Sequence, residues 1–204
     1  MIKKIALFGG TFDPFHEGHI QVVQYAANKI GAEKVILIPA KRSPHKKSMP
    51  IASTEDRIKM ISLAIAGKSN FEISDCEIKR PDPSYTLETI EYFRSKYPPD
   101  TKLYWLIGAD SLKDFVKWYK IGNLMDICRI CVMYRAGFEE PSFDKFIPVF
   151  GRAHVERLVE SVIETPLIDI SSTDIRGKID AGQNVEKLVH PDVHKYIIEN
   201  NLYK

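Results

Sequence analysis

Residues 4–30 read KIALFGGTFDPFHEGHIQVVQYAANKI, and this stretch decides the fold. The apolar run Ile5–Phe8 leads into two glycines, and apolar residues then recur at helical spacing over His19–Ile30. A strand, a glycine-rich turn and a helix are therefore predicted here. The turn, GGTFDPFHEGH (residues 9–19), also carries two histidines three positions apart at the point where the helix opens.

The alternation of strand and helix continues along the first two thirds of the chain. Further strands are predicted at KVILIP (34–39), FEISDCEI (71–78), KLYWLIGAD (102–110) and RICVMYR (129–135), with helices between them. This pattern predicts an α/β fold with a doubly wound parallel sheet and helices on both faces. A single domain over 1–204 is expected, with a small helical subregion at about 170–204. Ligands in such folds bind at the carboxyl ends of the strands.

The composition is that of an ordinary globular protein, with 44% hydrophobic and 27% charged residues among 204. A net charge of +2 gives no bulk electrostatic reason to expect binding to nucleic acid or to a membrane. The first residues are interpreted as a strand because their apolar run is short and meets glycines, which predicts a cytoplasmic protein. No apolar stretch approaches the ~18 residues of a membrane-spanning helix.

The spacing of Cys128 and Cys131 resembles that of redox and zinc sites. Both residues lie, however, in the β-rich apolar run ICRICVMY, and residues three apart on a strand face opposite sides. We therefore expect these cysteines, and Cys76, to be buried, reduced and structural. The remaining histidines are expected to be structural, and no His/Asp/Glu cluster indicates a permanent metal site.

The stretch GGTFDPFHEGH has the composition of a phosphate site. Glycines after a strand let backbone amides approach phosphate closely, and the following helix N-terminus adds positive potential. Neither the dinucleotide pattern G-x-G-x-x-G nor the Walker pattern is present. His16 and His19 can share one face, where imidazolium groups would stabilise phosphoryl oxygens. The alternative is a Gly/Pro turn with two incidental histidines.

A second candidate segment is ISSTDIR (170–176). Ser171 with Asp174 three residues later is a capping pattern, although Ser172 could also serve as the cap. Ser172, Thr173 and free amides at a helix start can bind anionic oxygens, and Arg176 offers a planar fork for phosphate. A capped surface helix with an exposed arginine is the alternative.

Two more segments border the predicted site. The basic loop AKRSPHKKSMP follows the second predicted strand, and a solvated charged loop is the usual explanation for such a run. Tyr85 and Thr86 open a helix whose first amides favour a carboxylate over a neutral amide. Trp118 can belong to the core or stack on an aromatic ring of a ligand.

Together these motifs resemble a known family. GGTFDPFHEGH resembles the (H/T)xGH signature of nucleotidyltransferases, in the HxGH form of adenylyltransferases that act on pyridine mononucleotides. IPAKRSPHKK resembles that family's Pro-His-Lys loop, and ISSTDIR its ISST-x-[IV]-R motif. Order and spacing fit the nicotinate-nucleotide adenylyltransferases of bacteria over nearly the whole chain.

The resemblance implies a Rossmann-like nucleotidyltransferase domain that joins ATP to nicotinate mononucleotide, releasing deamido-NAD and pyrophosphate. Mg²⁺ would arrive with ATP and keep several waters. The implied catalytic residues are His16, His19, Lys46 and Arg176. The implied ATP contacts are Gly9, Gly10, Thr11, Phe12, His16, His19, Gly108, Asp110, Ser171, Ser172, Thr173 and Arg176. The implied contacts to the mononucleotide are Thr11, Lys46, Tyr85, Thr86, Asp114 through its amide, Trp118 and Arg135.

Other functions stay open at this point. The same chemistry could act on nicotinamide mononucleotide or phosphopantetheine, and a nucleotide-binding module without catalysis is a second alternative. A nucleic-acid-binding protein is disfavoured by the balanced charge. The expected partners are ATP and a pyridine mononucleotide, with neither nucleic acid nor membrane, and a homo-oligomer is left open.

Overall fold

The computed structural model describes residues 2–42, 49–81 and 83–204. In these residues the elements follow in the order β1 (Lys4–Gly10), α1 (Glu17–Ile30), β2 (Lys34–Pro39), α2 (Thr54–Ala64), β3 (Phe71–Ile73), α3 (Thr86–Lys96), β4 (Lys102–Gly108), α4 (Ile121–Ile127), β5 (Arg129–Arg135), α5 (Ile147–Phe150), α6 (Arg152–Val159), β6 (Val162–Thr165), α7 (Ser172–Asp180) and α8 (Pro191–Glu199). Short 3₁₀ turns lie at Ala109–Lys113, Phe115–Lys117 and Asp144–Phe146. None of the described helices is long and apolar enough to cross a membrane.

The strands form one six-stranded parallel sheet in the order β3-β2-β1-β4-β5-β6. In its registers Ile5 of β1 lies opposite Leu103 of β4, and Leu106 of β4 opposite Cys131 of β5. The chain winds outward from β1 to β3 and then returns to β4, so the strand order reverses between β1 and β4. The predicted doubly wound parallel sheet is confirmed.

The helix ends follow from local sequence. Ser53 caps α2 and Ser171 caps α7, each through a hydroxyl oxygen that accepts the amide of an aspartate three residues on. Both carry the S-x-x-D pattern, which satisfies an amide that the first helical turn leaves without a partner. Helix α1 ends before Gly31, whose φ of 66° is the left-handed conformation that glycine adopts at helix ends.

By its contacts the chain divides into two compact units. The first unit comprises Met1–Phe8, Val23–Ile36 and Tyr85–Leu167. Its core holds the buried residues of β4 and β5 together with an aromatic cluster, in which the Phe115 ring lies 5.8 Å from each of the Phe146 and Phe150 rings.

The second unit comprises Gly9–Val22, Leu37–Ser84 and Ile168–Lys204. Helices α2 and α8 pack together within it, burying Met60 and Ile61 of α2 and Val193 and Ile197 of α8. The expectation of a single domain over 1–204 stays a prediction.

The cysteines are buried and free, as expected. The thiol of Cys128 donates to the carbonyl oxygen of Leu103 at 3.3 Å. Burial raises the pKa of both Cys128 and Cys131 to about 12, so neither is a thiolate near neutral pH.

Two predicted elements differ from the structure. The third strand ends at Ile73 instead of Ile78. The Ser74 amide still donates to the carbonyl oxygen of Leu37 in β2, but the chain then turns, and the amides of Ile78 and Lys79 donate to the carbonyl oxygen of Asp75. The segment after β4 was predicted to be helical. Its part up to Lys117 forms tight 3₁₀ turns, in which the Asp114 amide donates to the carbonyl oxygen of Ser111, and α4 follows from Ile121.

Candidate active site

The loop after β1 folds back on itself around aromatic rings. Gly10 closes the strand, and its carbonyl oxygen accepts the amide of Ala40 at 2.9 Å. A Cβ on Gly10 would lie 2.6 Å from the ring of Phe12, so only glycine leaves room for that ring. Phe12 is itself in the left-handed region, with φ of 52°, and its ring meets Phe15 and His19 edge-on at 5.2 Å. Gly10 thus shapes the loop through its packing against Phe12.

The two histidines of the loop form a stacked pair. His16 precedes the first residue of α1 and His19 lies in its first turn. Their ring centroids are 3.6 Å apart, and the His16 amide donates to Nδ1 of His19 at 3.3 Å. A Cβ on Gly18 would lie 3.1 Å from Nδ1 of His16, so the glycine of HEGH gives this ring its space. The structure therefore brings both predicted imidazoles together at a helix N-terminus.

Burial decides the charge of His16 in the absence of a ligand. The side chain is 5% exposed, and desolvation lowers its pKa from 6.5 to about 4. Within the described part of the chain, its Nδ1 atom has no hydrogen-bond partner. The ring is thus neutral near pH 7 in this structure, and the expectation that it becomes an imidazolium beside phosphoryl oxygens stays a prediction. A buried nitrogen without a partner is instead a group that a polar ligand can satisfy.

The start of α7 lies against the same loop. The Ser171 hydroxyl caps the helix through Asp174, whereas the Ser172 hydroxyl donates to the carbonyl oxygen of Pro14 at 3.0 Å. Arg176 donates to the carbonyl oxygen of Asp13 at 2.7 Å and lies 3.4 Å from the Thr173 hydroxyl. The two predicted phosphate motifs therefore meet in space, with Arg176 bonded to the backbone of the loop.

Asp13 is a buried carboxylate that accepts three hydrogen bonds, and the sequence motifs did not single it out. Its carboxylate, 5% exposed, accepts the amides of Ile51 at 2.7 Å and Ala52 at 3.1 Å, and the hydroxyl of Tyr203 at 2.8 Å. The peptide bond from Asp13 to Pro14 is cis. In the sequence Asp13 stands between Phe12 and Pro14, and an Asp-Pro pair is equally typical of an ordinary turn, so it gave only a weak signal for this role.

Arg57 is the second residue that was missed. Only 1% exposed, it donates to the carbonyl oxygens of Thr11 at 2.7 Å and Ala40 at 2.8 Å. Desolvation lowers the pKa of its guanidinium, and the charge of Asp13 opposes that shift. Buried charges need such partners. Here they hold the loop of residues 9–19, the motif loop, against α2. Nothing in its helical neighbourhood in the sequence distinguishes Arg57 from a surface arginine.

Five of the residues predicted to meet the acceptor lie in the first unit, whereas Thr11 lies in the second; the five are Tyr85, Thr86, Asp114, Trp118 and Arg135. Tyr85 precedes α3 without providing a side-chain cap, and its ring stacks on that of Tyr119 at 4.5 Å. Thr86 is the first residue of α3. The half-buried Trp118 ring meets Phe115 edge-on at 5.4 Å, so it combines core packing with an accessible part.

The other predicted residues of this unit are placed as follows. Gly108 ends β4, where a Cβ would collide with Oδ1 of the exposed Asp110, so the aspartate folds back over the glycine. The backbone amide of Asp114, predicted to face the nicotinate carboxylate, donates to the carbonyl oxygen of Ser111 at 3.3 Å. The Asp114 side chain forms an ion pair with Lys117 at 2.6 Å. Arg135 is exposed at the end of β5.

Two further expectations concern charge. Lys46 and the Pro-His-Lys loop lie outside the described residues, so the roles assigned to them stay predictions. Among the residues that are described, no group of three or more His, Cys, Asp or Glu side chains could hold a metal ion. Both oxygens of Asp13 are already engaged by protein donors, so this carboxylate does not suit an additional cation.

Comparisons with known proteins show the family of the chain. The sequence profile of the cytidylyltransferase-like family matches residues 7–178. A relative named "Probable nicotinate-nucleotide adenylyltransferase" from Clostridium tetani is 40% identical over the full length of both chains. One of the same name from Caldicellulosiruptor saccharolyticus is 39% identical over 98% of this chain and 99% of its own.

Solved structures share the fold. Nicotinic acid mononucleotide adenylyltransferase from Plasmodium falciparum, complexed with NaAD, has a TM-score of 0.74 at 19% identity, covering 98% of this chain and 97% of its own. A structure from Vibrio parahaemolyticus, titled a putative nicotinate-nucleotide adenylyltransferase, has a TM-score of 0.68 at 22% identity, covering 97% and 99%. The chain therefore belongs to the cytidylyltransferase-like family and, within it, to the nicotinate-nucleotide adenylyltransferases.

Proposed function

We propose that the chain transfers the adenylyl group of ATP to nicotinate mononucleotide, giving deamido-NAD and pyrophosphate in NAD biosynthesis. The observation that carries this proposal is the stacked pair His16 and His19 at the start of α1, beside a second helix start that brings Arg176 to the same loop. Relatives aligned over the whole chain are named for this reaction.

The proposed chemistry is one direct in-line displacement. An oxygen of the mononucleotide 5′-phosphate forms a bond to the α-phosphorus of ATP, while the bond from that phosphorus to the bridging oxygen of the β-phosphate breaks. Pyrophosphate leaves with the electron pair. A phosphate monoester dianion needs no general base to act as a nucleophile, so the protein contributes positioning and charge stabilisation.

The hydrogen-bond pattern assigns a task to His19. Because Nδ1 of this ring accepts the His16 amide, the proton of a neutral His19 lies on Nε2. Nε2 can then donate to a phosphoryl oxygen as negative charge develops on it. His16, neutral when unbound, would gain a proton when phosphate approaches, since an adjacent negative charge raises the pKa of an imidazole. Lys46 and Arg176 would add fixed positive charge.

The preference for an acid over an amide is proposed to arise at the start of α3. Tyr85 leaves the first turn of that helix without a side-chain cap, and a helix N-terminus stabilises a carboxylate more than a neutral amide. The Tyr85 and Tyr119 stack and the accessible part of Trp118 supply aromatic faces for a pyridine ring.

Mg²⁺ is proposed to enter bound to ATP. Mg²⁺ usually keeps several waters and binds through substrate phosphates together with few protein ligands. When bound, Mg²⁺ neutralises phosphate charge. Arg176, already fixed on the loop at Asp13, would hold phosphate oxygens next to that complex.

The function is tested by incubating the protein with ATP, Mg²⁺ and either nicotinate or nicotinamide mononucleotide, and identifying the dinucleotide by mass spectrometry. We expect deamido-NAD to form faster than NAD. Faster NAD formation would support the amide acceptor, and no pyrophosphate release with either would support a non-catalytic binding module.

The role of His19 is tested by His19→Ala, which should lower the rate by ~10²–10³ because one charge-stabilising contact is lost. His194→Ala, a change on α8, is the matched control and should retain the parent rate. A His19→Ala rate within a few-fold of the parent would contradict the assignment.

The remaining proposals concern context. We propose a cytoplasmic location, supported by three buried cysteines that are free thiols. Fractionation of cells that express the tagged protein tests it. Whether the chain forms a homo-oligomer is decided by light scattering at several concentrations.

A further inference from the structure

Tyr203 lies outside every motif that pointed to the function, yet its hydroxyl forms a hydrogen bond to the motif loop. The residue follows α8, is 8% exposed and donates to Oδ1 of Asp13 at 2.8 Å. Its backbone has a φ of 65°, a left-handed conformation that costs a non-glycine residue free energy. Such strain persists only where the surrounding contacts hold the residue in place.

Asp13, which accepts this hydrogen bond, also binds two other segments of the site. The carboxylate of Asp13 also accepts the amides of Ile51 and Ala52, which precede α2. Its own carbonyl oxygen receives Arg176 at 2.7 Å. The orientation of the Asp13 peptide therefore sets where the guanidinium of Arg176 lies, and Asp13 is three residues before His16.

The hydroxyl of Tyr203 is suited to be a permanent donor. Desolvation, followed by the nearby Asp13 charge, raises the pKa of Tyr203 far above its usual value, so the phenol keeps its proton. A hydrogen bond from a neutral donor to a buried carboxylate is stronger than one between neutral groups.

We infer that Tyr203 is a positioning residue for adenylyl transfer, which acts through Asp13 to fix Arg176 and the GGTFDPFHEGH loop for the transition state. The inference rests on the proposed function. It extends the machinery of the reaction to a residue that no phosphate motif includes and that follows the last helix of the fold.

The test is Tyr203→Phe, which removes the hydroxyl and keeps the ring that fills the buried space. We expect kcat to fall about tenfold while the KM values for ATP and nicotinate mononucleotide change less than about threefold. A displaced Arg176 loses stabilisation in the transition state more than in the ground state, which appears in kcat.

The matched control is Tyr196→Phe. The hydroxyl of Tyr196, on α8, donates to Oδ1 of Asp56 at 2.8 Å, so the same kind of bond is lost outside the motif loop. We expect this variant to retain kcat within about twofold. An equal loss of kcat in both variants would overturn the inference, because the two hydroxyls would then contribute only general stability.

A double-mutant cycle tests whether Tyr203 acts through Asp13. In an Asp13→Ala background, Tyr203→Phe should cause no further fall in kcat, because the acceptor is already absent. Additive losses would overturn the inference. So would a Tyr203→Phe variant with parental kcat and a lowered melting temperature, since that result describes a merely structural hydroxyl.

A readout without substrate separates this inference from the proposed function. Hydrogen exchange of the Ile51 and Ala52 amides should accelerate at least about threefold in Tyr203→Phe and stay unchanged in Tyr196→Phe. Unchanged exchange in Tyr203→Phe would contradict the positioning of Asp13 by Tyr203. If the parent makes no dinucleotide in the same study, the proposed function fails independently of this exchange result.

Discussion

Replacing His16 by Gln should remove a specific acid sensitivity of the fold. His16 is buried against His19 and its pKa is lowered from 6.5 to about 4 by desolvation. In the unfolded chain the imidazole regains its ordinary value. Between these two values the unfolded state binds a proton that the folded state does not, so the free energy of unfolding decreases as the pH falls through this window.

The size of the effect follows from the same two pKa values. Because the folded value is the lower one, the stabilisation is complete above pH 6.5 and is lost progressively down to about pH 4. Linkage gives a loss of about 2 kcal/mol at pH 5 and about 3 kcal/mol below pH 4 from this one residue. Gln cannot take up this proton, so His16→Gln should lack that part of the pH dependence.

The assay is urea unfolding of the parent and His16→Gln at about pH 7.5 and about pH 5. The parent should lose about 2 kcal/mol more than the variant between these pH values. His194→Gln controls for the removal of an imidazole elsewhere. Losses that agree within about 0.5 kcal/mol for the parent and His16→Gln would refute the argument that burial keeps His16 neutral.

Four further predictions concern the site and its helices. Gly18→Ala should lower kcat about threefold to tenfold in the dinucleotide assay, because the new Cβ displaces the His16 ring. Gly177→Ala has open space around the new Cβ and should raise the free energy of unfolding by about 0.5–1 kcal/mol in urea. Ser171→Ala should cost about 1 kcal/mol of unfolding free energy through loss of the Asp174 cap. Calorimetry in buffers of different ionisation enthalpy should detect proton uptake when ATP binds near pH 6, and binding without proton uptake would contradict protonation of His16.

The fold was predictable where local pattern and tertiary structure agree. The apolar runs of β2 and β5 predicted strands, that of β2 being continuous as in a sheet buried on both faces, and the S-x-x-D pattern predicted the start of α7. The run after Phe71 predicted too long a strand, because its apolar residues fit a strand or a turn equally well. In the structure a local turn begins at Asp75, whose carbonyl oxygen accepts the amides of Ile78 and Lys79.

The placement of His16 and His19 at one helix start was predictable from the sequence, whereas the electrostatics of the site was not. Two histidines at a helix start indicated a phosphate site, but only burial reveals that His16 is neutral when unbound. Asp13 and Arg57 escaped notice because most of their partners are distant in the sequence. Ile51 and Ala52 lie 38 and 39 residues from Asp13, and Tyr203 lies 190 residues from it. Thr11 lies 46 residues from Arg57. No local spacing encodes such contacts.

The stereochemical course of the reaction tests the central claim most directly. The protein would be supplied with Mg²⁺, nicotinate mononucleotide and ATP made chiral at the α-phosphorus by one sulfur substitution. A single in-line displacement at the loop of His16 and His19 predicts deamido-NAD with inverted configuration at that phosphorus. Retention would contradict the account, since it requires two displacements through an adenylylated protein.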